Sequence, residues 1–167
     1  AVIHLAGEPI MGRWTDKKKE RIRQSRADAT NFLCKQLGQL SPPPRTLIAA
    51  SAIGYYGNRP DAWVDEDAPS GTGFLPEVCS AWEEATESAR KGGIRVVNLR
   101  IGIVLSPDGG ALAQMLTPFR LGMGGKIGDG KQYMSWLMLE ELIGMIQFAL
   151  RTESLSGPVN AVAPNPV

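Results

Sequence analysis

Three runs of small residues, Ala6-Gly7, Ser51-Ala52 and Gly102 after Arg100, each close a short apolar stretch. Small side chains at such points let a flat ligand approach the backbone, although tight packing selects them too. The reactive side chains narrow the chemistry. His4 is the sole histidine, and Cys34 and Cys79 stand without a CxxC pair, so neither a structural zinc site nor a disulfide framework can be assembled. A serine hydrolase needs a Gly-x-Ser-x-Gly turn with a usable histidine, and His4 follows no such element. It reads as a core imidazole hydrogen-bonded at a strand end. The stretch GGKIGDGK at 124–131 has neither the spacing of a GxxxxGK[ST] phosphate loop nor the Ser or Thr after Lys131.

The elements that would carry these groups alternate. Val2 to Leu5 reads as a strand. Thr15-Asp16-Lys17 supplies an N-cap, and Ile22, Ala29, Phe32, Leu33 and Leu37 recur at helical spacing up to Gly38. Thr46 to Ala50 predicts the next strand, 58–73 a polar loop, Phe74 to Lys91 one helix stopped by Gly92-Gly93, and Ile94 to Leu99 a third strand leading into a loop at 102–110. Helices over 111–121 and 139–152 and a last strand at 159–162 complete the order β-α-β-α-β-α-α-β. Helical crossovers of this length demand a parallel sheet with helices on both faces, and ligands then lie off the carboxyl ends of the strands.

Composition sets limits. Eighteen basic against seventeen acidic side chains leave a net charge of +1, which implies no polyanion partner. The basic run Lys17 to Lys19 with Arg21, Arg23 and Arg26 is interleaved by Asp16, Glu20 and Asp28, the pattern of a solvated helix face rather than a nucleic-acid stripe. No apolar run reaches the roughly 18 residues of a membrane helix, and no signal peptide opens the chain. The two unpaired cysteines fit a reducing, cytoplasmic compartment. The chain opens on AVIHL without an initiator methionine and stops in a strand-then-loop sequence, so it reads as a domain truncated at both ends.

HLAG at 4–7, SAIGYYG at 51–57, the Glu66-Asp67-Ala68-Pro69 loop, NLRIGIVLSPDGG at 98–110 and WLMLEELIGMI at 136–146 together resemble the extended short-chain dehydrogenase/reductase family. AWE at 81–83, GGKIGDGKQYMSW at 124–136 and GPVNAVAPNPV at 157–167 resemble one branch of it, the epimerase-family proteins labelled nucleoside-diphosphate-sugar epimerases or cell-division inhibitors. The resemblance covers essentially the whole chain. It implies a single, incomplete Rossmann-like NAD(P)-binding domain over 1–167, with 111–137 and the C-terminal end contributing to the substrate side. The glycine-rich turn that holds the cofactor pyrophosphate would precede Ala1, and strands missing there would leave Val2 to Leu5 as an unpaired edge. The glycine-rich stretch at 122–130 is expected to form a hairpin over the substrate, with Gln132 and Trp136 in reach of a ligand.

Carried over residue by residue, the resemblance puts Leu5, Ala6, Gly7, Ala50, Arg100, Ile101 and Val104 against the cofactor, which is NAD or NADP with NADP favoured. It makes Ser51 the hydroxyl that meets the substrate. The family's acid-base device, a tyrosine four residues before a lysine, is missing. Arg59, Pro60 and Leu137 stand four residues after the three tyrosines, and Leu75 and Cys79 occupy the two positions on the expected helix. Losing a positioned general acid-base group costs about 10² to 10⁴ in rate, so Tyr55, Tyr56 and Glu77 are the substitute candidates. The resemblance thus implies an NAD(P)-dependent epimerase or reductase acting on a nucleotide sugar or a related small carbonyl compound, in a protein that could form a homodimer. The alternative is a catalytically silent NAD(P)-binding sensor or scaffold, with a place in cell-division control.

Overall fold

The computed structural model describes residues 1–59, 61–126 and 128–167. Four strands, β1 (Val2–His4), β2 (Thr46–Ala52), β3 (Arg95–Ile101) and β6 (Gly157–Ala161), form a wholly parallel sheet in the order β1-β2-β3-β6. β2 and β3 are buried along nearly their whole length, as strands covered on both faces must be, and they read as almost unbroken apolar runs. The parallel sheet with helices on both faces expected from the alternation is therefore present, and it has the Rossmann-like architecture that the resemblance implies.

Two clusters hold the sheet. On one face Ile48, Val97 and Leu99 pack with Leu142 and Ile146 of helix α6 (Leu139–Arg151). On the other, Leu47, Ala49 and Val96 pack with Cys34, Leu37 and Ala89 from helices α2 (Ala29–Gln39) and α4 (Glu87–Lys91). Each fully buried Val, Leu or Ile contributes roughly 1.5–3 kcal/mol, so these layers dominate the stability of the sheet. β1 lies at the edge, with Ile3 47% and Leu5 50% exposed, as the edge expectation requires.

Four local features depart from the sequence reading. Helix α1 (Asp16–Arg23), capped by Thr15 Oγ1 accepting from the Lys18 N–H, runs into α2 through a π-turn at Gln24–Asp28. The wider turn shifts the helical phase, so Ile22, Thr30, Cys34 and Leu37 form the buried stripe, while Ala29 and Phe32 face solvent. The helix expected over Phe74 to Lys91 is two, α3 (Phe74–Glu84) and α4, because buried Thr86 turns its hydroxyl back onto the Glu83 carbonyl at 2.6 Å.

The loop expected at 102–110 contains strand β4 (Ile103–Ser106), which pairs in parallel with β5 (Trp136–Met138), and helix α5 (Gly110–Arg120) packs on β4. These strands are too short to leave a period. The glycine-rich stretch carries no strand among its described residues, so the expected hairpin is absent from them; Ile127 lies outside the described residues.

Candidate functional site

Parallel register brings the strand ends together. Ser51 stands opposite Arg100, and Arg100 opposite Asn160, so three adjacent strands present polar side chains at one level near their carboxyl ends. Arg100 faces the α3 side of the sheet, inside an otherwise apolar strand, and only 3% of its side chain is exposed. A buried guanidinium requires a partner. Glu83 on α3 supplies it, with Oε1 accepting from Arg100 Nε and Oε2 from Nη2, both at 2.9 Å. Arg100 Nη1 also donates to the Tyr56 hydroxyl at 2.9 Å and to the Glu66 carbonyl at 3.0 Å. Burial works against the charge, but Glu83 and Tyr56 outweigh it and hold the guanidinium above its ordinary value.

The remaining polar groups hang from this pair. The Ser51 hydroxyl donates to Glu83 Oε1 at 2.6 Å, the Tyr56 hydroxyl donates to Asn160 Oδ1 at 2.6 Å, and the Asn160 N–H donates to Glu66 Oε1 at 2.7 Å. Ser51 is 2% exposed and Tyr56 4% exposed. The short 3₁₀ turn Ile53–Tyr56 places both tyrosines directly after β2. The Arg100 guanidinium lies 3.6 Å from the centroid of the Tyr55 ring, which meets Tyr56 edge to face. Burial raises the pKa of Tyr56 against the opposing pull of Arg100 and Asn160.

Leu75 and Cys79, the positions at which the resemblance would set an acid-base pair, face this turn. A Cβ added to Gly54 would meet Leu75 Cβ at 3.5 Å and Cys79 Sγ at 3.6 Å. Burial, reinforced by Glu83, pushes the Cys79 thiol up to about 11, so it does not exchange a proton near neutrality.

The expected site residues divide. Ser51, Tyr55, Tyr56 and Arg100 come together around Glu83. Glu77 does not join them. Its carboxylate is 62% exposed and lies 3.9 Å from Arg23 of α1. Leu5, Ala6 and Gly7 are exposed after β1, and Ala50 is buried in β2. Ile101 and Val104 are half-buried against the α6-side cluster. Two of the small residues have reasons inside the chain. A Cβ on Gly102 would meet the Ser135 carbonyl at 2.8 Å, and one on Gly7 would meet the Arg26 guanidinium at 3.2 Å.

Arg26 itself donates to the Glu8 carbonyl at 3.0 Å and stacks 5.0 Å from the Trp82 ring centroid. Lys18 and Arg21 pair with the Glu8 carboxylate, so much of the basic run serves to hold the segment after β1. His4, read as a core imidazole hydrogen-bonded at a strand end, does lie hydrogen-bonded at the end of β1 but is only partly buried there. Its Nε2 is 3.0 Å from Thr30 Oγ1, which also accepts from Trp82 Nε1.

Sequence reasoning missed Glu83, Glu66 and Asn160 as site residues. One signal was available: an arginine inside an apolar strand demands a buried acid, and Glu83 is the one acid of AWE.

No family model matches the chain. An epimerase family protein of Mycobacterium bovis is 46% identical over the whole chain, and epimerase family protein SDR39U1 of Mus musculus is 36% identical over 98% of it. The chain spans 55% and 57% of the lengths of these two relatives. Among solved structures, human epimerase family protein SDR39U1 with NADPH superposes with a TM-score of 0.89 at 34% identity, over 98% of this chain and 56% of that one. The nucleoside-diphosphate sugar epimerase from Corynebacterium glutamicum gives 0.86 at 42% identity, over 99% of this chain and 35% of that one. With a parallel sheet whose polar strand ends meet at Ser51 and Arg100, the chain belongs to the extended short-chain dehydrogenase/reductase family, on the branch of the epimerase family proteins.

Proposed function

We propose that this chain forms part of an NAD(P)-dependent epimerase or reductase, with NADPH lying across the carboxyl ends of β1, β2 and β3. The observation that carries the reading is the placement of Ser51 at the end of a central strand, locked in orientation by Glu83 and Arg100. The NADPH-bound human relative supports the cofactor. Leu5, Ala6, Gly7, Ala50, Ile101 and Val104 form the backbone shelf against the dinucleotide in this reading, and Arg100 acts behind it, as the charge that fixes Glu83. The β4–β5 pair, α5 and the C-terminal end close the substrate side. The substrate is a nucleotide sugar or a related small carbonyl compound.

Because Ser51 gives its proton to Glu83, its oxygen lone pairs are what a substrate hydroxyl would meet. Tyr56 spends its hydroxyl as donor to Asn160 and acceptor from Arg100. Tyr55, half-buried and stacked on Arg100, is the better candidate to exchange a proton. A bound nicotinamide would supply hydride chemistry; the chain's own groups orient the substrate and exclude water.

A second reading, a cofactor-binding sensor without turnover, draws on one specific observation: the groups packed against the turn after β2 are Leu75 and Cys79, neither of them an acid or base suited to proton exchange near neutrality. The test uses the full-length protein. NADPH fluorescence is titrated while hydride loss is followed over a panel of nucleotide sugars. Binding with turnover that falls at least tenfold in both Ser51→Ala and Tyr55→Phe supports the enzyme. Binding with no turnover on any sugar supports the sensor, and no binding overturns both.

A further inference from the structure

Beside the Ser51 network, on the face of the sheet that carries α3 and α4, a cleft of about 460 Å³ runs between the helices and strand β6. Ser80, Glu84, Glu87 and Arg90 line it from the helices, and Asn98 and Pro158 from the strands. Tyr55 and Glu83 also line it.

Its chemistry is set by Asn98, which is 2% exposed. The Asn98 Nδ2 donates to Thr86 Oγ1 at 3.4 Å, and Thr86 has already given its own proton to the Glu83 carbonyl. That chain of donors fixes the amide orientation and leaves Asn98 Oδ1 as a buried oxygen with no partner. Buried acceptors are rarely left so, and this one can take only a donor. The Ser80 hydroxyl donates to Ser70 Oγ at 3.0 Å, so its lone pairs are available as acceptors as well. Glu84 makes no ion pair among the described residues, and Glu87 shares its charge with Arg90 Nε at 3.1 Å. Apart from Arg90, the cleft asks for N–H groups and positive charge. No three His, Cys, Asp or Glu side chains among the described residues cluster to hold a metal ion, which favours an organic cation.

We propose that this cleft binds a primary alkylammonium group, which donates to Asn98 Oδ1 while Glu84 and Glu87 supply the opposing charge. An ammonium carries three N–H donors on a compact head, enough to serve the unpartnered Asn98 Oδ1, once a small shift of its neighbours uncovers it, together with oxygens of Ser80, Glu84 and Glu87 that line the cleft. The group can come from a free polyamine or from a lysine side chain of another protein, and the same floor serves both.

The test follows the Asn98 side-chain amide of the full-length protein by ¹⁵N NMR, with the resonance assigned by its loss in Asn98→Asp. Spermidine and, separately, N-acetyl-lysine amide are titrated in. We expect the Asn98 resonance to move saturably with spermidine, and the midpoint to rise about tenfold in Glu84→Gln/Glu87→Gln, an exposed double substitution that leaves other resonances in place. A response to spermidine alone identifies a free polyamine as the source; an equal response to the capped lysine identifies a protein side chain. The site is overturned if the Asn98 resonance stays still at saturation, if the double substitution leaves the midpoint unchanged, or if calcium ions move it equally.

Discussion

Glu8 and Glu83 each hold a basic side chain at hydrogen-bond distance, 2.8 Å to Lys18 Nζ in one case and 2.9 Å to Arg100 Nε in the other. Lengths do not separate them; surroundings do. The Glu8 side chain is 28% exposed and pairs with both Lys18 and Arg21, the latter 53% exposed, so water and salt reach this cluster. Glu83 is 13% exposed against an arginine at 3%, and a serine hydroxyl takes part of the same oxygen. The first cluster fastens a surface segment. The second fixes the orientation of the groups that the proposed chemistry needs, and losing either partner strands a charge in the interior.

The sharpest way to break this contrast is Arg100→Met. Glu83 would remain buried without its guanidinium, and we expect a loss of about 3–5 kcal/mol in unfolding free energy by urea titration. Removing both charges in Arg100→Met/Glu83→Leu should restore much of that loss, since the penalty belongs to the uncompensated ion rather than to the missing attraction. A single substitution costing under about 1 kcal/mol would place the buried pair in the same class as the surface one.

The contrast also explains what could be read beforehand. β2 and β3 were legible because strands covered on both faces must be apolar throughout, and Thr15 was legible because an N-cap is a local hydrogen bond. Ser51 and Arg100 were singled out through motifs. Their function in the fold was not legible, because the group that joins them, Glu83, lies 32 residues from one and 17 from the other. Sequence spacing carries no trace of a contact made by strand register and helix docking. The π-turn was hidden for a related reason: one widened turn moved the buried stripe onto Thr30 and Cys34, and no periodicity template anticipates the shift.

A middle-sized effect sharpens the buried side. Ser51→Ala removes a hydroxyl that donates to a charged oxygen, and we expect about 1.5–3 kcal/mol of destabilisation, with NADPH affinity less affected than turnover. Retained turnover with lost stability would make Ser51 a structural group and overturn its proposed role as the substrate-facing hydroxyl.

His4 gives a smaller effect, governed by pH. Burial lowers its pKa from 6.5, so the folded protein prefers the neutral ring, with Thr30 beside Nε2. The unfolded chain then binds the proton more readily, and stability that is full above pH 6.5 is lost as pH falls through the depressed folded value. Urea titrations between pH 7.5 and pH 5.5 should show a decline that His4→Gln flattens, the approximate window following from the ordinary histidine range. An unchanged slope in the variant would assign the decline elsewhere.

The smallest effect is expected from Glu8→Gln. Its pKa is held below 4.5 chiefly by the hydrogen bond from Lys18, so any stability it adds is present above that value and is lost as pH falls through the depressed one. Burial does not protect the charge, and the segment keeps its backbone ties. The Glu8 N–H donates to Ser25 Oγ, and the Glu8 carbonyl accepts from Arg26. At neutral pH we therefore expect a melting temperature within error of the parent in about 0.5 M salt, roughly five times the ionic strength at which the Debye length is already about 10 Å, and a small drop visible only at low salt. The same salt titration on Arg100→Met should leave its large deficit in place, because counterions do not reach a buried carboxylate. If the two variants respond to salt alike, exposure is not what distinguishes the two glutamates.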